Sequence, residues 1–216
     1  MSSRNYRLLE LLISERVLKF GDFTLKSGRK SPYFFNLGAI NSGAAISRLG
    51  EAYAERIREL DLGADTLFGP AYKGIPIAVA AAEALARAGH DIGWAFNRKE
   101  AKGHGEGGQF VGASVRQRVL LVDDVLTAGT ALREAAGLIT GNGGELVGVV
   151  IALDRQELAD GTTAVAALEA ELGVPVVSLL TLRDVIEYLD LAGPGDNHSP
   201  AILAEVKAYQ AKYCQL

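Results

Sequence analysis

The sequence predicts an α/β protein whose central, mostly parallel sheet is flanked by helices. Three observations carry that expectation. Between Thr66 and Leu180, short apolar runs alternate with helical segments. The runs are apolar without polar alternation, as in strands covered on both faces. Strand, helix, strand in succession is also the order that right-handed crossovers build into a parallel sheet. With 216 residues, 49% of them apolar, the chain can bury one such core.

The elements follow in order. From Asn5 to Lys19 the residues Leu8, Leu9, Leu11, Leu12 and Leu18 recur with helical spacing, and charges occupy the other face, which predicts an amphipathic first helix. Next, Phe23 to Leu25 and Tyr33 to Leu37 read as two strands of a hairpin around residues 27–32, SGRKSP, whose glycine and proline fit a turn. A helical pattern from Ala44 to Leu60 ends at Gly63. Strands are then expected at Thr66–Phe68, Ile92–Phe96, Val119–Val122, Leu146–Ile151 and Val174–Leu180. Helices are expected between them, around Ile75–Ala88, Thr130–Thr140 and Thr163–Leu172. Ser199 as N-cap and Pro200 at the first helical position open a terminal helix to about Tyr213. The first helix and hairpin lie outside the alternating pattern and form a small cover over one sheet edge. No internal repeat, linker or low-complexity tract interrupts the chain.

Composition narrows the function classes. A net charge of −4 excludes a nucleic-acid binder whose whole surface is basic, though not a local basic patch. The lone Cys214 allows neither an internal disulfide nor a zinc site and points to a reducing, cytoplasmic location. The N-terminal apolar run is broken by Glu10 and Glu15, unlike a secretory leader, and no apolar stretch is long enough to span a membrane. Glycine is the outlier, with 25 residues in 216 against a usual 7% or so.

Three loops hold chemistry and, with Gly112 just past the glycine-rich one, eight of those glycines: Gly69, Gly74, Gly103, Gly105, Gly107, Gly108, Gly112 and Gly129. Residues 119–131, VLLVDDVLTAGTA, deliver Asp123 and Asp124 to the end of a buried strand, where parallel sheets hold their ligands. Thr127, Ala128, Gly129 and Thr130 then precede a helix whose free N–H groups favour a phosphate. The pair of acids alone could merely close a strand, with Thr130 capping the helix; carboxylates for hydroxyls beside amides for an anion suit a phosphorylated sugar. Residues 68–75, FGPAYKGI, place Lys73 at a helix N-terminus, against the dipole. That placement implies a bound anion, unless the segment is only a turn.

Residues 96–109, FNRKEAKGHGEGGQ, match G-x-G-x-x-G at Gly103, Gly105 and Gly108. The match fails as a dinucleotide site, because the motif neither follows its strand directly nor opens a helix. No P-loop string occurs. What remains is a glycine-rich basic loop bearing Arg98, Lys99, Lys102 and His104, which is either a solvated surface segment or a lid over a polyphosphate. Arg155, after the strand that ends at Leu153, lies at the same sheet edge as Asp123 and could meet a carboxylate bidentately. Lys26 and Arg29 otherwise read as a solvated hairpin end, and Phe34 and Phe35 as core. No catalytic triad or metal-ligand cluster stands out.

Taken together, these segments resemble type I phosphoribosyltransferases. Residues 25–35 (LKSGRKSPYFF), the glycine-rich loop and residues 153–156 (LDRQ) narrow the resemblance to the bacterial orotate phosphoribosyltransferases, over nearly the whole chain. The resemblance implies one phosphoribosyltransferase domain with a small hood from about residues 1–40 and the C-terminal region, and a mobile loop at about 99–113. It implies Mg²⁺-dependent transfer from 5-phosphoribosyl 1-diphosphate to N1 of orotate, with the metal held mainly by substrate oxygens and water. Asp123 and Asp124 would hold the ribose hydroxyls and, with Lys102, form the catalytic set. Val125, Leu126, Thr127, Ala128, Gly129, Thr130 and Ala131 would cradle the 5′-phosphate. Tyr72, Lys73, Lys26 and Lys99 would serve the sugar diphosphate, joined by Arg98, Lys102 and His104 from the neighbouring subunit of a homodimer. Phe34, Phe35, Thr127 and Arg155 would bound orotate. The competing class is a non-catalytic sensor of the sugar diphosphate, which calls for a DNA-binding module that this chain lacks a spare segment to form.

Overall fold

The computed structural model describes residues 1–25, 28–99, 109–126, 129–192 and 200–214. Helix α1 (Ser3–Ser14) starts where the Ser2 hydroxyl accepts the Asn5 N–H, and it buries Leu8, Leu9, Leu11 and Leu12. The predicted extension to Lys19 is corrected. Arg16 turns the chain at φ +56, and Leu18 is the buried first residue of strand β1 (Leu18–Thr24). Strand β2 (Lys30–Phe35) pairs antiparallel with it, from Leu18 opposite Phe35 to Thr24 opposite Lys30. The hairpin is therefore present, but both strands begin earlier than expected. Lys30, Ser31 and Pro32 lie in a strand rather than the turn, a position open to proline on a two-stranded ribbon.

The main sheet has six strands in the order β10–β7–β6–β3–β4–β5, comprising Val176–Thr181, Glu145–Asp154, Arg118–Val125, Thr66–Phe68, Gly93–Asn97 and Phe110–Gly112. All pairings are parallel except that of β4 with β5. The segment after the glycine-rich loop, which shows no helical period, is this antiparallel edge strand. A minor ribbon joins β8 (Leu158–Ala159) and β9 (Thr162–Thr163).

Alternation along the strands divides the core between two faces. Leu120, Val122, Val150 and Ala152 face α2 (Gly43–Leu60) and α3 (Gly74–Arg87). Val119, Leu121, Val149 and Ile151 face α4 (Thr130–Gly141) and α5 (Ala164–Leu172). On the first face the apolar cluster continues into α1, into α6 (Leu182–Ala192) through Leu182, Val185 and Leu189, and into α7 (Pro200–Tyr213) through Val206 and Tyr209. Helix α6, absent from the sequence reading, follows β10 with no intervening loop. The parallel strands bring the ends of β3, β4, β6 and β7 to one sheet edge, where ligand sites form in such sheets. No helix among the described residues is long and apolar enough to cross a membrane.

Candidate functional site

Strand β6 carries its acids to that edge. Asp123 is buried; Asp124 is half-buried, and its Oδ1 accepts the Val125 N–H at 2.8 Å. Burial and the charge of Asp124 push the Asp123 carboxyl up to about 6, against partial relief from the Asp124 N–H and Lys73. Two adjacent carboxylates with little water around them constitute negative potential without a full counter-charge.

The loop after β3 supplies the cation. Lys73 occupies the cap position of α3 with no side-chain cap hydrogen bond, and its Nζ donates to Asp124 Oδ2 at 2.7 Å. Gly69 and Gly74 have a packing role in that loop. A Cβ on Gly69 would lie 2.0 Å from the Gly74 carbonyl oxygen, and one on Gly74 would lie 2.7 Å from Gly69 C and Pro70 Cδ. The two glycines allow the loop to fold on itself. Its Ala71–Tyr72 peptide is cis, and the Ala71 N–H donates to Asn97 Oδ1 at the end of β4. Tyr72 is exposed, and Lys99 Nζ stands 4.7 Å from its ring centroid, a cation–π contact between two of the expected diphosphate residues. Arg98, the residue before Lys99, joins its backbone N–H to the Gln109 carbonyl at 2.7 Å.

Beyond Leu126, which is buried, Gly129 rather than Thr130 stands at the cap of α4, with φ +72 and no side-chain cap. The first N–H groups of α4, at Thr130 and Ala131, thus lie beside the carboxylate pair in sequence, and a left-handed residue before a helix forms a concave set of amides suited to anions. Lys26, Lys102, His104, Thr127, Ala128, Ser199 and the glycines of residues 103–108 lie outside the described residues.

Arg155 follows β7 at the same edge. Its guanidinium carbon lies 4.6 Å from the centroid of the buried Tyr33 ring, and its Nε donates to Glu157 Oε1 at 2.6 Å. Phe35 packs on the main core, whereas Phe34, the preceding residue of β2, is exposed and stacks on Phe23 at 5.4 Å. Strand alternation separates the two rings. Cys214 is buried, with its thiol 3.5 Å from the Arg155 carbonyl and burial pushing it up to about 11.

Four contributors escaped the sequence reading. Tyr53 of α2 donates its hydroxyl to the Asp123 carbonyl at 2.7 Å; Asn97 ties the β3 and β4 loops together; Glu157 and Tyr209 engage Arg155. Only their residue types were readable, because each reaches the site through the fold.

A phosphoribosyl transferase domain matches residues 36–165. Orotate phosphoribosyltransferase from Vibrio parahaemolyticus is 50% identical over 99% of both chains, and that from Thioalkalivibrio sulfidiphilus is 51% identical over the same share. The crystal structure of the Francisella tularensis orotate phosphoribosyltransferase superposes with a TM-score of 0.84 at 39% identity, covering 97% of this chain and all of that one. The Mycobacterium tuberculosis orotate phosphoribosyltransferase in complex with 5-phospho-α-D-ribosyl 1-diphosphate has a TM-score of 0.63 at 29% identity, covering 84% and 98%. With its acids, lysine and helix N-terminus converging at one sheet edge and its relatives matching from end to end, the chain belongs to the orotate phosphoribosyltransferase family.

Proposed function

We propose that the chain transfers ribose 5-phosphate from 5-phosphoribosyl 1-diphosphate to N1 of orotate, releasing diphosphate and orotidine 5′-phosphate for pyrimidine biosynthesis. The observation that carries this reading is the Asp123–Asp124 pair, whose Asp124 accepts Lys73 Nζ at 2.7 Å and which precedes the α4 N-terminus in the chain. That arrangement offers carboxylates to the ribose and cationic and amide groups to its two phosphate ends.

Displacement at an anomeric carbon builds positive charge on the ring while a polyanion departs. A fixed anionic pair beneath the ring is therefore worth most in the transition state, and no nucleophilic side chain is required. Asp123 and Asp124 hold the 2- and 3-hydroxyls and stabilise the growing cation. Val125 to Ala131 bind the 5′-phosphate through backbone N–H groups and hydroxyls. Lys73 leaves Asp124 in part to meet the diphosphate, with Tyr72 beside it, and Lys26 and the catalytic Lys102 add to that charge. The contact of Lys99 with Tyr72 supports Lys99 acting in its own subunit's site. Arg98, Lys102 and His104 serve the neighbouring subunit of a homodimer. Thr127, Arg155 and the strand at Phe34 and Phe35, through its backbone since the two rings lie on opposite faces, bound orotate, with Arg155 facing its carboxylate edge.

The donor set fits Mg²⁺. Among the described residues no three His, Cys, Asp or Glu side chains gather as a metal site. Mg²⁺ held mainly by substrate oxygens and water calls for no dedicated protein cage beside the hard oxygens of Asp123 and Asp124. When bound, the ion would neutralise diphosphate charge. Residues about 1–40 and the C-terminal helices form a hood over this edge; of the expected loop at about 99–113, Phe110–Gly112 is the edge strand β5, and the part before it closes the site.

Release of diphosphate that requires both orotate and Mg²⁺ tests the reading. Turnover with a purine base and none with orotate would overturn it.

A further inference from the structure

We infer that Glu157 is a positioning residue for the base site, holding the Arg155 guanidinium through one end while α7 locks Glu157 from behind. The inference rests on Arg155 binding the base. The Arg155 side chain is 12% exposed, too buried for its orientation to be set by water, and a buried guanidinium needs defined partners. Glu157 uses both oxygens: Oε1 accepts Arg155 Nε at 2.6 Å and the Tyr209 hydroxyl at 2.6 Å, and Oε2 accepts Arg29 Nη1 at 3.0 Å. Tyr33 lies under the guanidinium. These contacts fix the plane and the Nε end of Arg155. Nη2 is only 3.4 Å from Ser31 Oγ and the Tyr209 hydroxyl, and Nη1 makes no hydrogen bond to the described residues.

Charge points the same way. Two guanidiniums and one carboxylate leave a single net positive charge, which matches an anionic base carrying one carboxylate. Without Glu157, Arg29 and Arg155 would repel each other, and the buried fork would lose its anchor. The turn itself is built for this aim. Asp154 Oδ1 accepts the Gln156 N–H at 2.8 Å, Gln156 takes φ +55, and Gln156 Oε1 accepts the Arg183 N–H at 3.1 Å. Glu157 then bridges by its backbone to Cys214 just past α7. Helix α7 and the residue after it thus reach the base site through the Tyr209 hydroxyl, the Tyr209 ring against Tyr33, and the backbone and thiol of Cys214.

Steady-state kinetics on the full-length enzyme test this, with KM for orotate and for the sugar diphosphate measured separately. Glu157→Ala should raise the orotate KM about tenfold and leave the sugar-diphosphate KM within about twofold, as expected for lost ground-state binding. Glu157→Gln keeps an acceptor oxygen but loses the charge, and Tyr209→Phe removes one hydrogen bond; each should raise the orotate KM about two- to threefold. If Glu157 acts through Arg155, Glu157→Ala should add less than about twofold once Arg155→Ala is present. Should Glu157→Ala fail to fold, Glu157→Gln and Tyr209→Phe, alone and on the Arg155→Ala background, decide the matter. An unchanged or lowered orotate KM in the Glu157 variants, or an equal factor on both backgrounds, would overturn the inference while Arg155→Ala still raised the orotate KM. An Arg155→Ala enzyme with unchanged orotate KM would instead overturn the base-site reading itself.

Discussion

Replacing Asp123 by asparagine should make the ligand-free protein gain stability as pH rises, relative to the unchanged chain. Burial beside Asp124 raises the Asp123 carboxyl from 3.8 to about 6, so the folded state holds this proton more tightly than the unfolded state does. Below the unfolded value both states are protonated and the group is neutral toward stability. As pH rises through the folded value, folding must retain a charge in an unfavourable place, and stability falls by about 3 kcal/mol in total, at about 1.4 kcal/mol per pH unit of displacement. Asparagine has no charge to bury; its amide hydrogens add a fixed cost that does not vary with pH. Between pH 4.5 and pH 8 the difference in stability between variant and parent should therefore move by about 2 kcal/mol in the variant's favour. At this chain length that is a relative rise in melting temperature of about 4–8 °C. Thermal unfolding of both proteins at the two pH values measures it, and turnover should fall by at least about a hundredfold as the cost to catalysis. A difference between variant and parent that is equal at both pH values, or that moves against asparagine from pH 4.5 to pH 8, would refute the claim that Asp123 is buried as a strained anion.

Lys73→Ala should separate binding from stability. Its ion pair with Asp124 is formed by a lysine side chain that is 55% exposed, so unfolding free energy should change by less than about 1 kcal/mol, while the KM for the sugar diphosphate rises at least about tenfold. Gly69→Ala places a methyl 2.0 Å from the Gly74 carbonyl oxygen and should cost about 3 kcal/mol or more, read as a lowered urea midpoint. Tyr53→Phe strands the Asp123 carbonyl, which accepts its hydroxyl at 2.7 Å, and should cost about 1–2 kcal/mol with an unchanged denaturant slope.

The parallel sheet was legible because strands buried on both faces leave unbroken apolar runs, and those runs sit at the centres of β3, β4, β6, β7 and β10. Their ends were not, since Arg118 and Asp123 to Val125 continue β6 past the apolar core by backbone pairing alone. The first helix was overextended because Val17 and Leu18 are as apolar as the residues of α1 and no glycine or proline marks the turn at Arg16. Helix α6 was missed although Leu182, Val185, Ile186 and Leu189 have helical spacing. Its start is set by Asp184, whose Oδ2 accepts both the Thr181 N–H and the Thr181 hydroxyl, so strand passes to helix without a breaker. In the site, the residues at strand ends were readable, because a charged or glycine-rich loop after an apolar run has few structural reasons to exist. Tyr53, Asn97, Glu157 and Tyr209 look like ordinary members of their segments, and only packing gives them a place at the edge.

That difference follows from how charge is arranged. Net charge is −4, yet the site must attract a polyanion and also stabilise a cation at its centre. One sign of charge cannot do both. The fold solves this by separating the tasks by strand: β6 ends in two acids, β3 is followed by Lys73, and β7 by Arg155, so negative potential lies between two positive arms. With Lys73 tied to Asp124 and Arg155 to Glu157, each cation already has an acidic partner before a substrate arrives. A bound anion then exchanges with a carboxylate or shares its cation instead of meeting a naked one, which moderates ground-state binding. In the proposed reaction, a diphosphate that draws Lys73 from Asp124 would free a carboxylate and deepen the negative potential beneath the ribose as its positive charge grows, an interaction that raises kcat instead of only lowering KM.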